Sequence, residues 1–227
     1  MHIVILIAAV VAALFGPQLW ARHVLARYRE PADRYPGTGG ELAEHLLERL
    51  GIDGVKVEKS DSGDHYDPSE RAVRLIPDHL HGRSLTAVTV AAHEVGHALQ
   101  HHQGYRPLGL RTRMVTLAAR AERTGAMFMV AVPVVGLFTR SPVLSLVVFG
   151  AGMASMVMAT VVHFVTLPVE WDASFKRALP LLRSGTYLQR GDERHARRIL
   201  TACALTYVAA SLSSLLNLGR WIAFLKR

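Results

Sequence analysis

Two histidines four residues apart, with a glutamate beside the first, stand in the run His93-Glu94-Val95-Gly96-His97. These residue types at this spacing can hold a metal ion and move a proton. On a helix, positions i and i+4 lie one turn apart on the same face, so both imidazoles can reach one ion. Glu94 then lies within hydrogen-bonding reach of a water on that ion, whose pKa zinc lowers toward about 7. A carboxylate that takes this proton gives the chemistry of a zinc hydrolase.

The surrounding residues have to supply the helix. Leu85, Val88, Ala92, Val95 and Leu99 recur at helical spacing, and His93 and His97 fall on roughly the opposite side. Ser84 is placed to cap the start, and Gly104 with Pro107 closes the run. The pattern predicts a helix with one packed face and one face turned to a cleft. Upstream, Leu42, Leu46, Leu47 and Leu50 alternate with charged residues in a short amphipathic helix ending at Gly51. Residues 55–58 and 72–76 alternate like strands about a turn-rich stretch, 61–69, which predicts a two-stranded hairpin that either offers an edge for a peptide to pair with or only shields the helix.

Half of the 227 residues are apolar, and they are gathered in blocks, which points to membrane spans. The reading divides the chain into an N-terminal transmembrane anchor (1–20), a zincin-like catalytic unit (21–113), a transmembrane hairpin (114–167), a polar segment (168–198) and a C-terminal membrane helix (199–227). Arg22, Arg27 and Arg29 after the first block favour an uncleaved anchor. Gly150, Gly152, Ala154, Ser155 and Ala159 suit close helix packing within the hairpin. The expected fold class is mostly α: an integral membrane helical protein with a small α+β unit that carries the metal helix. One cysteine, Cys203, excludes an intramolecular disulfide and a Cys-rich zinc site. The net charge of +8 is explained by basic flanks at a lipid bilayer, and no interleaving of aromatic and basic residues argues for nucleic acid.

A catalytic zinc needs a third protein ligand. If residues 114–138 and 143–167 form a membrane hairpin, the stretch Pro168-Val-Glu170-Trp-Asp172-Ala-Ser174 returns to the side of the metal helix. Glu170 or Asp172 can then complete the site, but they point about 200° apart on a helix, so both cannot reach the metal. His101, His102 and His163 are the other candidates. His65, Tyr66 and Tyr105 are candidates for steadying a tetrahedral oxyanion, and a turn role for 64–68 is the alternative.

Several runs together carry a family resemblance: Asp64-His-Tyr-Asp-Pro68, His81-Gly-Arg-Ser-Leu85, Ala91 to Gln100, Leu167-Pro-Val-Glu-Trp-Asp-Ala-Ser174 and Ala204-Leu-Thr-Tyr-Val-Ala-Ala210. The chain resembles the YugP-type membrane zinc metallopeptidases of bacteria, and more distantly the HtpX and CAAX prenyl proteases. Those distant relatives are gluzincins whose third ligand is a Glu in a Glu-x-x-Ala-Asp setting. The resemblance implies Glu170 as that ligand, with Ala173 matching and Ser174 standing where those proteases have Asp.

The expectation is therefore a multi-pass zinc endopeptidase of the bacterial inner membrane that acts on protein or peptide substrates, in quality control or processing of membrane proteins. His93, His97 and Glu170 hold Zn2+, Glu94 is the base, and the excess of Arg and Lys over residues 22–123 and 176–198 places the site on the cytoplasmic face. Two other readings compete. An intramembrane-cutting protease is disfavoured by the polar stretch before the helix and by the lack of a downstream Leu-Asp-Gly. A non-catalytic zinc scaffold would need a closed coordination shell.

Overall fold

The structure, a computed structural model, describes residues 2–185 and 187–206. It is mostly helical with one small sheet, and it divides into two units. One comprises Gln18–Gly109 and Pro168–Thr206; the other holds, among the described residues, 2–17 and Leu110–Leu167.

The first unit is built around one helix. It takes in the end of α1 (His2–Arg27) and then α2 (Gly39–Arg49), which opens with a capping box between Thr38 and Glu41. Strands β1 (Lys56–Lys59), β2 (His65–Asp67) and β3 (Ala72–Leu75) follow, then the short α3 (Pro77–Leu80) and α4 (Leu85–His102). The chain re-enters through the end of α6 (Pro142–Trp171), which passes directly into a π-helix (Asp172–Ala178), α7 (Leu179–Ser184) and a helix over 193–206. Ser84 caps α4 by accepting from the Ala87 N–H, and Gly104 closes it with a φ of 63°.

The expected hairpin of residues 55–58 with 72–76 does not form. The order is β1-β3-β2, with β1 parallel to β3 and β2 antiparallel to it. The turn-rich stretch is long enough to contain a strand of its own, and this extra reversal brings β3 back alongside β1 in the same direction. Asp67 Oδ1 accepts from the Ser69 and Glu70 N–H groups in the turn that joins β2 to β3.

Nor does α4 keep an open face. Fifteen of its 18 residues, from Leu85 to Gln100, are buried. Leu46 and Leu47 of α2, Val73 and Leu75 of β3, Leu182 of α7 and Ile199 and Leu200 of the last helix share one core with Val88, Ala91, Ala92 and Val95. The π-helix covers the side on which His93 and His97 lie. A Cβ on Gly96 would meet the Ala173 carbonyl oxygen at 2.7 Å, so only glycine allows this approach.

In the second unit, α5 (Arg106–Thr139) and α6 pack as an antiparallel pair. A Cβ on Gly152 would lie 3.2 Å from the Gly125 carbonyl oxygen and one on Gly136 3.2 Å from Ser145 Oγ, while Ala118 clusters with Val162. Small residues set this close spacing. Gly150, expected to share the role, meets nothing within 4 Å. Large apolar side chains point outward: Met127 is 72%, Leu137 74%, Phe138 81% and Val143 72% exposed. Among the described residues one helix, Arg106–Thr139, is long and apolar enough to cross a membrane. Residues 207–227, most of the expected C-terminal membrane helix, lie outside the described residues, as does the side chain of His163.

Candidate metal centre

Residues four apart on α4 and one residue near the end of α6 meet in the first unit. His93, His97 and Glu170 are 3%, 3% and 1% exposed. Their ligand atoms all lie within 4.8 Å of one another. Glu170 Oε2 stands 3.4 Å from His93 Nε2 and 3.2 Å from His97 Nε2. Tetrahedral zinc with bonds of about 2.0–2.1 Å holds its ligand atoms roughly 3.3 Å apart.

The surrounding hydrogen bonds decide which ring nitrogens carry protons. The Gln100 amide nitrogen donates to the Val169 carbonyl at 2.9 Å and to Asp172 Oδ2 at 2.9 Å. Both partners are acceptors only, so Gln100 Oε1 is the atom turned to His97 Nδ1, 2.9 Å away, and that nitrogen must donate. Ser174 works in the same way at His93. Its hydroxyl donates to the Leu200 carbonyl at 3.2 Å and therefore accepts from His93 Nδ1, 3.1 Å away. With both Nδ1 atoms protonated, both neutral rings turn an Nε2 lone pair toward the Glu170 carboxylate. Three acceptors converge on one buried point. Such an arrangement repels itself unless a cation lies between its members, so the donor set fits a metal ion.

Asp172 is part of the support and lies outside the converging set. Burial would raise its pKa, but hydrogen bonds from Gln100 and Arg177, with the charges of Arg177 and Lys176, hold it below the ordinary carboxylate range. Arg177 Nε donates to Asp172 Oδ2 at 2.8 Å, and its guanidinium lies over the Tyr105 ring, 5.3 Å from the centroid. Residues 172 and 177 are five apart, and the i→i+5 bonding of the π-helix brings them together. In an α-helix the same spacing would turn them about 140° apart.

Glu94, between the two histidines, is buried with 6% exposure. The remaining candidates stand apart from the converging trio. His101 Nδ1 pairs with the Tyr66 hydroxyl at 2.7 Å, and His102 is exposed. His65 Nδ1 donates to the Gly63 carbonyl at 3.0 Å. Asp64 accepts from the Ile76 N–H at 2.9 Å and pairs with His79 Nδ1 at 2.8 Å, fixing the start of α3.

The profile of a family described as "Putative neutral zinc metallopeptidase" matches residues 2–226. The chain belongs to this family. It is also 34% identical over 216 residues to the protein named "Putative membrane protease YugP" of Bacillus subtilis (strain 168), which covers 92% of this chain and 92% of that protein. No solved structure matches the chain. Zinc is thus the metal of this family, and among the described residues the buried trio is the group of side chains that could hold it.

Sequence reasoning missed Gln100 and the use made of Ser174. A glutamine near the end of a helix carries no sign in the sequence of the partners it will meet. Its meaning appears only when the π-helix lies across it.

Proposed function

We propose that the protein is a membrane-embedded zinc endopeptidase in which His93, His97 and Glu170 hold the metal and Glu94 is the general base. The convergence of two Nε2 lone pairs and one carboxylate oxygen carries this reading. Zinc held there supplies Lewis-acid polarisation of the scissile carbonyl and acidifies an attacking water. Glu94, the neighbour of His93 on α4, takes the water's proton as its oxygen bonds to the carbonyl carbon. The same proton passes to the amide nitrogen as the C–N bond breaks, so the carboxylate is restored after each turnover.

The membrane part of the reading rests on the outward-facing apolar side chains of α5 and α6. Arg and Lys on the chain flanking the metal unit favour its location on the cytoplasmic side. The same proposal keeps the domain boundaries read from the sequence, with a polar catalytic part between apolar spans.

The test is Glu94→Gln. The variant removes the base and no metal ligand, so zinc content should match wild type while peptide hydrolysis falls by about three orders of magnitude or more. Hydrolysis at near wild-type rate by the zinc-loaded variant would overturn the mechanism.

A further inference from the structure

The centre is tied to two apolar segments by short stretches of chain, and these restrict what it can reach. Glu170 is the third residue after Leu167, where the apolar run 143–167 ends. Three residues reach at most about 11 Å when fully extended. They belong to α6, which runs to Trp171.

The second tie is the end of α1. Ala21 and Val24 are buried in the same core as Val95 of α4. Thr86, in the first turn of α4, donates through Oγ1 to the Leu25 carbonyl at 2.9 Å and through its N–H to the Tyr28 carbonyl at 3.2 Å. Leu25 lies six residues after Leu19, the last of the N-terminal apolar run, and six helical residues rise about 9 Å. The helix bearing both histidines and the residue bearing the carboxylate are thus each fastened within about 11 Å of chain from an apolar segment.

We infer that the substrates are membrane-anchored polypeptides, cut in the segment just outside their own hydrophobic span, roughly within its first ten residues. The inference rests on the peptidase and membrane readings above. Headgroups add about 5–7 Å to each side of the hydrocarbon core, so a carboxylate ligand no more than about 11 Å of chain from the end of a span cannot work far from the headgroup layer. An extended chain leaving the bilayer advances about 3.3 Å per residue, and only its first residues are confined to that height. Substrate and enzyme sharing one bilayer also meet at a raised effective concentration, which a free peptide does not share.

The experiment uses the full-length zinc-loaded protein in phosphatidylethanolamine–phosphatidylglycerol vesicles. Three single-span reporters carry the same unstructured β-casein segment, joined to the span directly or through a rigid proline-rich spacer of about 10 or about 30 residues, each advancing about 3.1 Å per residue. Free β-casein is the fourth substrate, and the Glu94→Gln protein gives the background. The direct fusion should be cut at least tenfold faster than the fusion with the longest spacer and than free casein, and dissolving the vesicles in detergent should remove the advantage over free casein. Equal rates for all four substrates in vesicles would overturn the inference while leaving the peptidase reading intact. Cleavage of none of them by zinc-loaded protein would overturn both.

Discussion

Asp172 and Glu170 are both buried carboxylates on one stretch of helix, and their surroundings give them different work. Glu170 meets two imidazole nitrogens, whereas Asp172 meets donors from Gln100 and Arg177. Replacing Glu170 with Ala should abolish both zinc binding and activity, since two histidines alone hold the ion weakly. Asp172→Ala should keep zinc but weaken its binding by about 10–100-fold, because Gln100 loses the acceptor that orients it toward His97. Metal analysis of the two purified variants checks this; zinc kept in the first and lost in the second would exchange the two roles. At this scale much could be read from spacing alone. One turn between His93 and His97 implies adjacent rings, and their centroids lie 4.8 Å apart. The two turned-apart carboxylates follow from 100° per residue. Ser174 was legible only as a departure from a related pattern, because its bond to the Leu200 carbonyl depends on a helix 26 residues further on.

At the scale of elements, the contact between α4 and the π-helix is the tightest constraint on the site. Gly96→Ala would gain up to about 1 kcal/mol of helix propensity, but the new methyl would meet the Ala173 carbonyl at 2.7 Å and force the two backbones apart. Overpacking of this kind costs about 1–3 kcal/mol, so the variant should melt at a lower temperature and bind zinc less tightly. A rise in melting temperature with unchanged zinc affinity would show that the contact yields. A second element-level tie fastens the chain before α2 to the last helix. Asp192 is buried and bonded to the Arg34 guanidinium and the Tyr35 hydroxyl. Burial alone would raise the Asp192 pKa, but those hydrogen bonds and the Arg34 charge hold it below the ordinary carboxylate range. The folded value is therefore below the unfolded one. Its stabilisation is complete above about pH 4 and is lost as pH falls through the depressed folded value. Asp192→Asn should cost about 3 kcal/mol at neutral pH, and the gap from wild type should close in acid; unfolding in detergent from neutral pH to about pH 3 would measure it. Helices were legible from apolar spacing, as in α2 and α4, whereas the parallel pairing of β1 with β3 was not. Alternation marks a strand without giving its direction, and nothing in Asp172 to Ala178 distinguishes π from α winding.

For the whole molecule, sidedness is the property most open to direct measurement. Cys203 is the single cysteine and is buried, so it leaves the surface free of competing thiols. Asp61→Cys places an accessible thiol in the connection between β1 and β2, where the Asp61 side chain is 87% exposed. An impermeant maleimide should fail to label it in intact cells and label it after lysis; labelling from outside would place the metal unit on the other face. Apolar blocks made the division into polar and membrane-directed parts legible. The return of residues 168–174 to the metal helix was expected from a hairpin over 114–167, and Gly152 was expected to allow close packing there; its partner Gly125 was not.

The separation of 73 positions between His97 and Glu170 also has a meaning in time. A ribosome adding roughly 5–20 residues per second takes about 4–15 s to cover that stretch. Throughout this interval the nascent chain carries both histidines and Glu94 without the carboxylate that completes the trio. Helix α5 and nearly all of α6 are made in the same interval. A newly made molecule therefore completes this trio only after α5 and nearly all of α6 have been synthesised.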